Sequence, residues 1–322
     1  MNRRLTLFSV VALLAVPAVA ADKKKDPEEI GNRDVGKGVN FYSIDKEIAM
    51  GRQLALEVEK QARIVDDPVV SEYMNRVGQN LARNSDAKIP VSFKIIEDDS
   101  VNAFTLPGGY IFVNTGLIRV AETEAELAGA MAHEIGHAAA RHSTRQLTRA
   151  EIADLATVPL SLWGGWLGYA IRQGSGIAIP MAFLSFSRGF ETEADLLGLE
   201  YMYKTGYDPT ASIDIFERIE SLEKTKPGLV AKVFASHPMT LDRIRAAQKN
   251  IDEILPAKPE YVINTSEFNE MRGRVIALHQ RRKREAPDPS KPTLRRAPGD
   301  RPVEDSSQRS DDDRPVLQRR EF

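Results

Sequence analysis

The chain has 322 residues, of which 42% are hydrophobic and 28% are charged, with 44 Lys and Arg against 46 Asp and Glu, 5 His and no Cys. The absence of cysteine excludes disulfides, thiolate zinc sites, Cys-ligated iron–sulfur clusters, a catalytic thiol and a lipid-modified N-terminal cysteine. A formal charge of -2 gives no overall attraction to nucleic acid, and the apolar content suffices for one large domain. Any metal site must therefore be built from His, Asp and Glu.

Residues 1–20 follow the three-part pattern of a secretory signal peptide. Arg3 and Arg4 precede an uncharged apolar stretch over 5–16, and the small residues Ala18 and Ala20 occupy positions −3 and −1 of the expected cleavage site. An uncleaved membrane anchor is the alternative, although the apolar stretch is short for a membrane span. We therefore predict that the mature protein works outside the cytoplasm.

The other end of the chain, 281–322, is rich in Arg, Asp, Ser and Pro and has no apolar periodicity. Such a segment cannot bury enough apolar surface to offset its ordering entropy, so we predict a disordered, charged tail. The basic clusters at 281–284 and 295–296 could contact anionic lipid or a partner. A solvated tail is the simpler interpretation, because acidic residues such as those at 311–313 are interspersed.

The first part of the remaining chain, 21–280, shows helical and then strand patterns, with no repeat of fixed period. Apolar residues at helical spacing over 44–83 predict two helices. The alternation over 91–96 predicts a strand, and two β-rich runs on either side of the Pro-Gly-Gly at 107–109 predict a hairpin. We expect one domain over 21–280.

Thr123 and Glu126 form a capping box at the start of the next helix, which the Ala-rich sequence predicts over 127–142. This helix contains His133-Glu134-Ile135-Gly136-His137, an HExxH sequence. Residues four apart in a helix lie about 40° apart, so both imidazoles can point at one ion while Glu134 stands beside it. A histidine pair packed in a core is the structural alternative.

The HExxH sequence predicts a Zn²⁺ site with a third protein ligand and a water whose pKa the metal lowers to about 7. Glu134 would be the general base that takes the water proton and passes it to the leaving amine. In one zinc-protease pattern, a Gly three residues after the second His breaks the helix, and a third His follows three residues later. That pattern is absent here, because Ala140 stands at the Gly position and Ser143 at the His position. On a continuous helix His142 lies about 180° from His133, so we expect it to face backward as a packing residue or as a support behind the ligands.

A later helix, which begins within 187–195, carries carboxylates that could supply the third metal ligand. Glu191 and Asp195 share one face of it at a spacing of four. Glu191 can bind zinc while Asp195 accepts a hydrogen bond from the other ring nitrogen of a ligand histidine. Glu193 points elsewhere, and we expect it at the surface or in a salt bridge.

Four motifs together resemble one metallopeptidase family. They are HEIGH at 133–137, SRGFETEAD at 187–195, NAFTLPGGYIF at 102–112 and SHPMTLDRI at 236–244. Over about 44–254 the chain resembles the gluzincin zinc metallopeptidases, the family of HtpX, the CAAX prenyl proteases and the periplasmic protease BepA, and it looks most like the soluble periplasmic branch. The resemblance implies an α+β, predominantly helical, zincin-like metallopeptidase domain with a small β-sheet whose edge strand borders the active-site cleft.

The resemblance implies one Zn²⁺ per chain, held by His133, His137 and Glu191, with Glu134 as the base and Asp195 behind a ligand. These roles agree with the spacing of the same residues in the two motifs.

The other two motifs imply how substrate is held. Asn102, Ala103 and Phe104 would belong to the edge strand, to which an unfolded substrate adds through main-chain hydrogen bonds. His237 and Arg243 would sit over the metal, and His237 would either stabilise the oxyanion or occupy the open zinc position and silence the enzyme. From the sequence alone, a His before Pro is equally a residue that starts a helix.

The stretch 155–171 carries no charge and contains Trp163 and Trp166. Its length is at the lower limit for a membrane span, and a single crossing would put Glu191 on the opposite side from His133. We therefore predict that 155–186 forms a loop or helical hairpin that caps the cleft or dips into a membrane surface, with plain burial in the core as the alternative.

Together these patterns predict a zinc metalloendopeptidase of the periplasm, free or membrane-associated, that acts on misfolded or misassembled envelope proteins. The first alternative is a chaperone-like outer-membrane assembly factor whose protease site is self-inhibited, working with the assembly machinery. A zinc hydrolase for non-peptide substrates is the second, and the peptide-like edge strand speaks against it. No nucleic-acid partner is expected.

Overall fold

The computed structural model describes residues 26–157, 186–225, 237 and 240–285. They lie, apart from the end of the last helix, in the first of two compact units, Met1–His279 and Gln280–Phe322. The helices within the described ranges are α1 (Ile44–Gln61), α2 (Pro68–Arg83), α3 (Thr115–Val120), α4 (Glu124–Ala139), α5 (His142–Thr157), α6 (Arg188–Thr205), α7 (Thr210–Thr225), α8 (Leu241–Ile254) and α9 (Ser266–Glu285). The strands are β1 (Ser92–Ile96), β2 (Ala103–Leu106) and β3 (Tyr110–Asn114).

Three of the predicted segments fall wholly or largely outside these ranges. They are the signal peptide over 1–20, most of the apolar segment 155–186 and most of the tail 281–322. Helix α9 continues to Glu285, so the first five tail residues are helical where we expected disorder. None of the helices in the described ranges has the length and apolar character needed to cross a membrane.

The predominantly helical α+β fold is confirmed, with a small mixed sheet whose strand order is β1-β3-β2. Strand β3 pairs in parallel with β1 and antiparallel with β2, so the hairpin predicted around 107–109 is confirmed. Phe104 and Phe112 stack across the hairpin with ring centroids 5.3 Å apart. Because β3 is central, β2 lies at one edge of the sheet formed by the described residues.

Helix α4 begins as the capping box predicts. The Thr123 hydroxyl accepts a hydrogen bond from the backbone N–H of Glu126 at 3.2 Å. The Glu126 carboxylate accepts from the backbone N–H of Glu122 at 2.8 Å, so both side chains satisfy free amides at the helix start. Every residue of α4 is buried, which places this helix in the middle of the domain.

The continuous helix expected over 127–142 is wrong, because α4 ends at Ala139 and α5 begins at His142. Between them Arg141 has a φ of 55°, in the left-handed region that a non-glycine residue adopts only at a cost of roughly 1–2 kcal/mol. Its guanidinium donates to Glu47 Oε2 and to the backbone oxygen of Tyr42, both at 2.6 Å. These tertiary contacts offset the cost and fix the break.

Helices α4 and α6 approach so closely that glycine is required between them. A Cβ at Gly136 would lie 2.8 Å from the backbone oxygen of Ala194, and one at Gly198 would lie 3.1 Å from the backbone nitrogen of His133. The two helices that carry the predicted ligands are therefore in backbone contact.

A segment before α1, residues 31–42, crosses the outside of these helices, and we call it the N-terminal strap. Its Arg33 donates to Asp86 at 2.6 Å and to Glu200 at 2.8 Å, and all three side chains are buried. Further along, the backbone N–H of Phe41 donates to the hydroxyl of Thr148 in α5 at 3.0 Å.

Candidate metal centre

The predicted ligands meet in one buried cluster between α4 and α6. The Nε2 atoms of His133 and His137 are 3.1 Å apart. Each lies 3.5 Å from an oxygen of Glu191, His133 Nε2 from Oε2 and His137 Nε2 from Oε1. His237 completes the group, whose four ligand atoms all lie within 4.8 Å of one another.

The geometry of this cluster fits a zinc ion. Two nitrogens bound at about 2.0–2.1 Å to a tetrahedral ion lie about 3.3 Å apart, and the three ligand separations of 3.1, 3.5 and 3.5 Å are close to that value. Imidazole and carboxylate are also the donor types that zinc takes when no thiolate is present. Histidine pairing inside a core does not explain two ring nitrogens turned toward each other and toward a carboxylate.

His237 lies on the open side of the cluster, beside the HExxH glutamate. Its Nδ1 is 2.9 Å from Glu191 Oε1 and 3.5 Å from His133 Nε2. Its Nε2 is 3.7 Å from Glu134 Oε1. The ring therefore stands between the ligands and the expected base. This position is compatible with both alternatives for His237, stabilising the oxyanion or occupying the open zinc position.

The far side of His133 is supported by acid and arginine. His133 Nδ1 lies 3.1 Å from Asp195 Oδ1, in the arrangement that the spacing of Glu191 and Asp195 indicates. Arg243 binds Asp195 with two nitrogens, each at 2.7 Å, and places a third 3.1 Å from Glu191 Oε2. Arg243 thus lies behind the acids, and its contacts support positioning of the ligands.

These neighbours control the ionisation of the metal-free cluster. Burial works against the charged form of His133, but Asp195 and Glu191 outweigh it and raise the pKa of His133 to about 9. Burial likewise opposes ionisation of Glu191 and Asp195, yet the surrounding histidines lower the pKa of Glu191 and Arg243 with His133 lowers the pKa of Asp195. Both carboxylates are therefore ionised and ready to serve a cation.

His137 has a different support, which begins at the helix break. Its Nδ1 lies 2.9 Å from Nδ1 of His142, whose Nε2 lies 3.0 Å from Glu193 Oε2. The expectation that His142 faces backward is wrong, because α4 stops before it and the chain turns the ring toward the site. The expectation that it supports the ligands from behind agrees with its contact to His137. The salt bridge expected for Glu193 is confirmed by Arg145 at 3.0 Å.

Burial also governs the ionisation of this second support. It lowers the pKa of His142. For Glu193 burial alone would raise the pKa, but hydrogen bonds from His142 and Arg145 lower it to about 2.

Strand β2 borders the cleft next to the HExxH glutamate. Asn102 and Ala103 line a groove together with Glu134. The Thr105 hydroxyl, on the same face of β2 as Ala103, donates to Glu134 Oε2 at 2.7 Å. Phe104 lies on the other face, so any contact between Phe104 and a bound peptide would use its backbone.

The sequence reasoning did not single out Thr105 or the two rings that cover the ligands. Phe186 stacks on His137 with centroids 4.2 Å apart, and Phe216 meets His133 edge-on at 5.7 Å. Thr105 was detectable, because residues two apart on a strand share a face. Phe186 and Phe216 carried no comparable signal.

Comparison with known proteins agrees with this centre. The model of Peptidase family M48 matches residues 68–251, more than half of the chain. The putative beta-barrel assembly-enhancing protease of Vibrio cholerae is 30% identical over 277 residues, which cover 83% of this chain and 56% of that protein. The beta-barrel assembly-enhancing protease of Escherichia coli K12 is 24% identical over 284 residues, which cover 85% of this chain and 56% of that protein.

A mitochondrial relative matches a shorter region. The mitochondrial metalloendopeptidase OMA1 of Schizosaccharomyces pombe is 37% identical over 169 residues, which cover 50% of this chain and 46% of that protein. The chain spans about half the length of the relatives it matches. On the family match, the chain belongs to peptidase family M48, and its buried His-His-Glu-His cluster is a candidate metal site of the HExxH...E type.

Proposed function

We propose that this protein is a zinc-dependent metalloendopeptidase of the periplasm that hydrolyses peptide bonds in misfolded or misassembled envelope proteins. The observation that carries the proposal is the buried cluster of His133, His137 and Glu191, with Glu134 beside it at a groove bordered by an edge strand. A carboxylate next to a metal centre and next to the edge strand of a sheet is the arrangement that hydrolysis of an extended peptide requires.

In this proposal His133, His137 and Glu191 hold one Zn²⁺, and Asp195 and Arg243 keep His133 and Glu191 in place. When bound, zinc supplies a Lewis acid that polarises the scissile carbonyl and acidifies water. Glu134 accepts the proton of the attacking water and returns it to the leaving amine.

Strand β2 supplies the substrate contact in the proposed mechanism. An extended peptide would add to the sheet at Asn102, Ala103 and Phe104 by main-chain hydrogen bonds, which recognise unfolded chains with little dependence on sequence. The Thr105 hydroxyl holds one carboxylate oxygen of Glu134 and leaves the other free for the proton.

The envelope assignment rests on the predicted signal peptide and on the relatives. Proteins named beta-barrel assembly-enhancing protease cover most of this chain at 24–30% identity. The name of those relatives supports a role near outer-membrane assembly, with assembly intermediates as substrates or partners.

The proposal is tested by zinc analysis joined to a proteolysis assay on an unfolded protein such as casein. We expect about one zinc per chain, hydrolysis that a chelator abolishes and added zinc restores, and a loss of at least about 100-fold in Glu134→Gln with the zinc content retained. A purified protein that takes up no zinc would overturn the metallopeptidase mechanism. Full activity of Glu134→Gln would overturn the role of the base.

A second function, an assembly factor whose protease is self-inhibited, is favoured by one observation. His237 Nδ1 lies among the ligand atoms, 2.9 Å from Glu191 Oε1, and the ring is buried. If His237 occupies the open position, His237→Ala should cleave casein faster than the wild type. If it stabilises the oxyanion instead, the same variant should be slower, since removing one such donor costs roughly 100-fold or more in kcat.

A further inference from the structure

His142 is a buried histidine to which the proposed reaction gives no role. It stands between His137 and Glu193, with hydrogen-bonding distances of 2.9 Å to the first and 3.0 Å to the second. The side chain has no solvent exposure. Both of its ring nitrogens therefore form hydrogen bonds inside the protein, and each bond places a hydrogen on one of the two partners.

The direction of these hydrogen bonds follows from counting hydrogens. The ionised carboxylate of Glu193 only accepts, so Nε2 of His142 must carry a hydrogen. A neutral His142 then has a bare Nδ1, which can only accept, and the 2.9 Å contact requires Nδ1 of His137 to donate. His137 is left with an unprotonated Nε2, the nitrogen that lies 3.5 Å from Glu191.

We propose that His142 is a positioning residue which, oriented by Glu193, locks His137 in the tautomer that leaves Nε2 free to bind zinc. The proposal rests on the proposed function only in naming zinc as the ion.

The acid end of this chain of contacts is firmly held. Glu193 Oε2 accepts from Arg145 at 3.0 Å, and Oε1 accepts from the backbone N–H of Gly36 in the N-terminal strap at 3.2 Å. Arg145 also donates to the backbone oxygen of Lys37 in the strap. The carboxylate that orients His142 is therefore fixed by two separate parts of the chain.

The ring planes are held as well. His142 stacks on Phe190 with centroids 4.4 Å apart, and His137 stacks on Phe186 at 4.2 Å, each pair inclined by 23°. Stacking fixes the plane of each ring, and the contacts of His142 with His137 and Glu193 set which nitrogen faces which partner. Metal-ligating histidines usually direct their second nitrogen to a carboxylate or carbonyl, and His133 Nδ1 lies 3.1 Å from Asp195 Oδ1. His137 reaches its carboxylate through a second imidazole.

The wild-type protein gives the first test without any substitution. In ¹⁵N-labelled, zinc-free protein, two-dimensional ¹H–¹⁵N NMR distinguishes the two tautomers of each histidine. We expect His137 to carry its hydrogen on Nδ1 and His142 to carry its hydrogen on Nε2 before zinc is added. The opposite tautomer of His137, or a doubly protonated His142 at neutral pH, would overturn the proposal.

Two variants separate positioning from packing. His142→Phe keeps an aromatic ring against Phe190 but removes the acceptor, and we expect zinc affinity, measured by competition with a chelating dye, to fall by roughly 10–100-fold. His142→Asn loses the ring but places an amide oxygen where Nδ1 stood, and it should recover most of that affinity. If His142→Asn binds zinc as weakly as His142→Phe, or if His142→Phe binds as tightly as the wild type, the positioning role is wrong.

His279→Phe is the matched control, because His279 is a largely buried histidine that pairs with Asp99 at 2.9 Å, away from the zinc ligands. It should leave zinc affinity unchanged. Failure of the proposed function is distinguishable from failure of this inference. A wild type without zinc would refute the metallopeptidase, whereas the tautomer of His137 in zinc-free protein decides the inference independently.

Discussion

The helix pair α4–α6 and the sheet edge β2 meet at Glu134, but they are built by different physical means. Between the helices, position is set by backbone contact at glycine and by several polar partners for each ligand. At the sheet edge, the hydroxyl of Thr105 connects the strand to the Glu134 carboxylate.

The difference teaches which function each region controls. Buried charges need partners on every side, so the ligands sit where two helices supply them at once. The sheet edge needs only to present backbone groups and to orient one carboxylate oxygen. We therefore expect changes between the helices to alter zinc binding and stability, and changes at the edge to alter turnover alone.

The largest effect should come from filling the contact between the helices. In Gly136→Val the first side-chain carbon alone would lie 2.8 Å from the Ala194 backbone oxygen, so the helices must separate. Overpacking of this kind costs roughly 1–3 kcal/mol or more. We expect a fall in the thermal midpoint of several degrees and loss of bound zinc, measured by calorimetry and elemental analysis.

Gly189→Ala is the control for this prediction, because nothing lies within 4 Å of a Cβ built at this position in the first turn of α6. Alanine favours a helix over glycine by up to about 1 kcal/mol, so the variant should be as stable as the wild type or slightly more so. Normal zinc content in Gly136→Val would show that the helix contact does not set the ligand positions.

A smaller effect should follow from removing one charge behind the ligands. Asp195→Asn takes away the anion that lies 3.1 Å from His133 Nδ1 and that Arg243 binds with two nitrogens. Substitutions at such supporting residues typically weaken metal binding by about 10–100-fold. Competition with a chelating dye should show this loss, whereas Asp252→Asn, at an exposed position of α8, should show none. Equal affinities in the two variants would contradict the supporting role.

The same comparison explains how far the sequence could predict the structure. Local patterns sufficed for α1, α2, the hairpin and the start of α4, because caps, glycines and apolar spacing are written within a few residues. Spacing also placed Glu191 and Asp195 on one face, where the structure finds them. These predictions depend on one helix at a time.

The end of α4 could not be predicted in this way. No Gly or Pro marks the break, and Arg141 adopts its left-handed conformation because Glu47, distant in sequence, binds its guanidinium. The consequence was a wrong orientation for His142 and a missed link from His137 to Glu193. A contact that is absent from the local sequence thus determined one of the two supports of the metal centre.

The most confined effect should come from the sheet edge, because it changes turnover and leaves metal binding unchanged. Thr105→Val keeps the shape of the side chain but removes the hydroxyl that donates to Glu134, and a hydrogen bond to a charged group contributes about 1.5–3 kcal/mol. We expect kcat/KM for casein to fall by roughly 10–100-fold while zinc affinity stays the same. Thr105→Ser, which keeps a hydroxyl, should recover most of the loss, and Thr115→Val, whose hydroxyl donates instead to the backbone of Asp98, should lose little activity. A fall in zinc affinity in Thr105→Val comparable to that in Asp195→Asn would mean that the sheet edge also supports the ligands, and the division of labour between helices and strand would not hold.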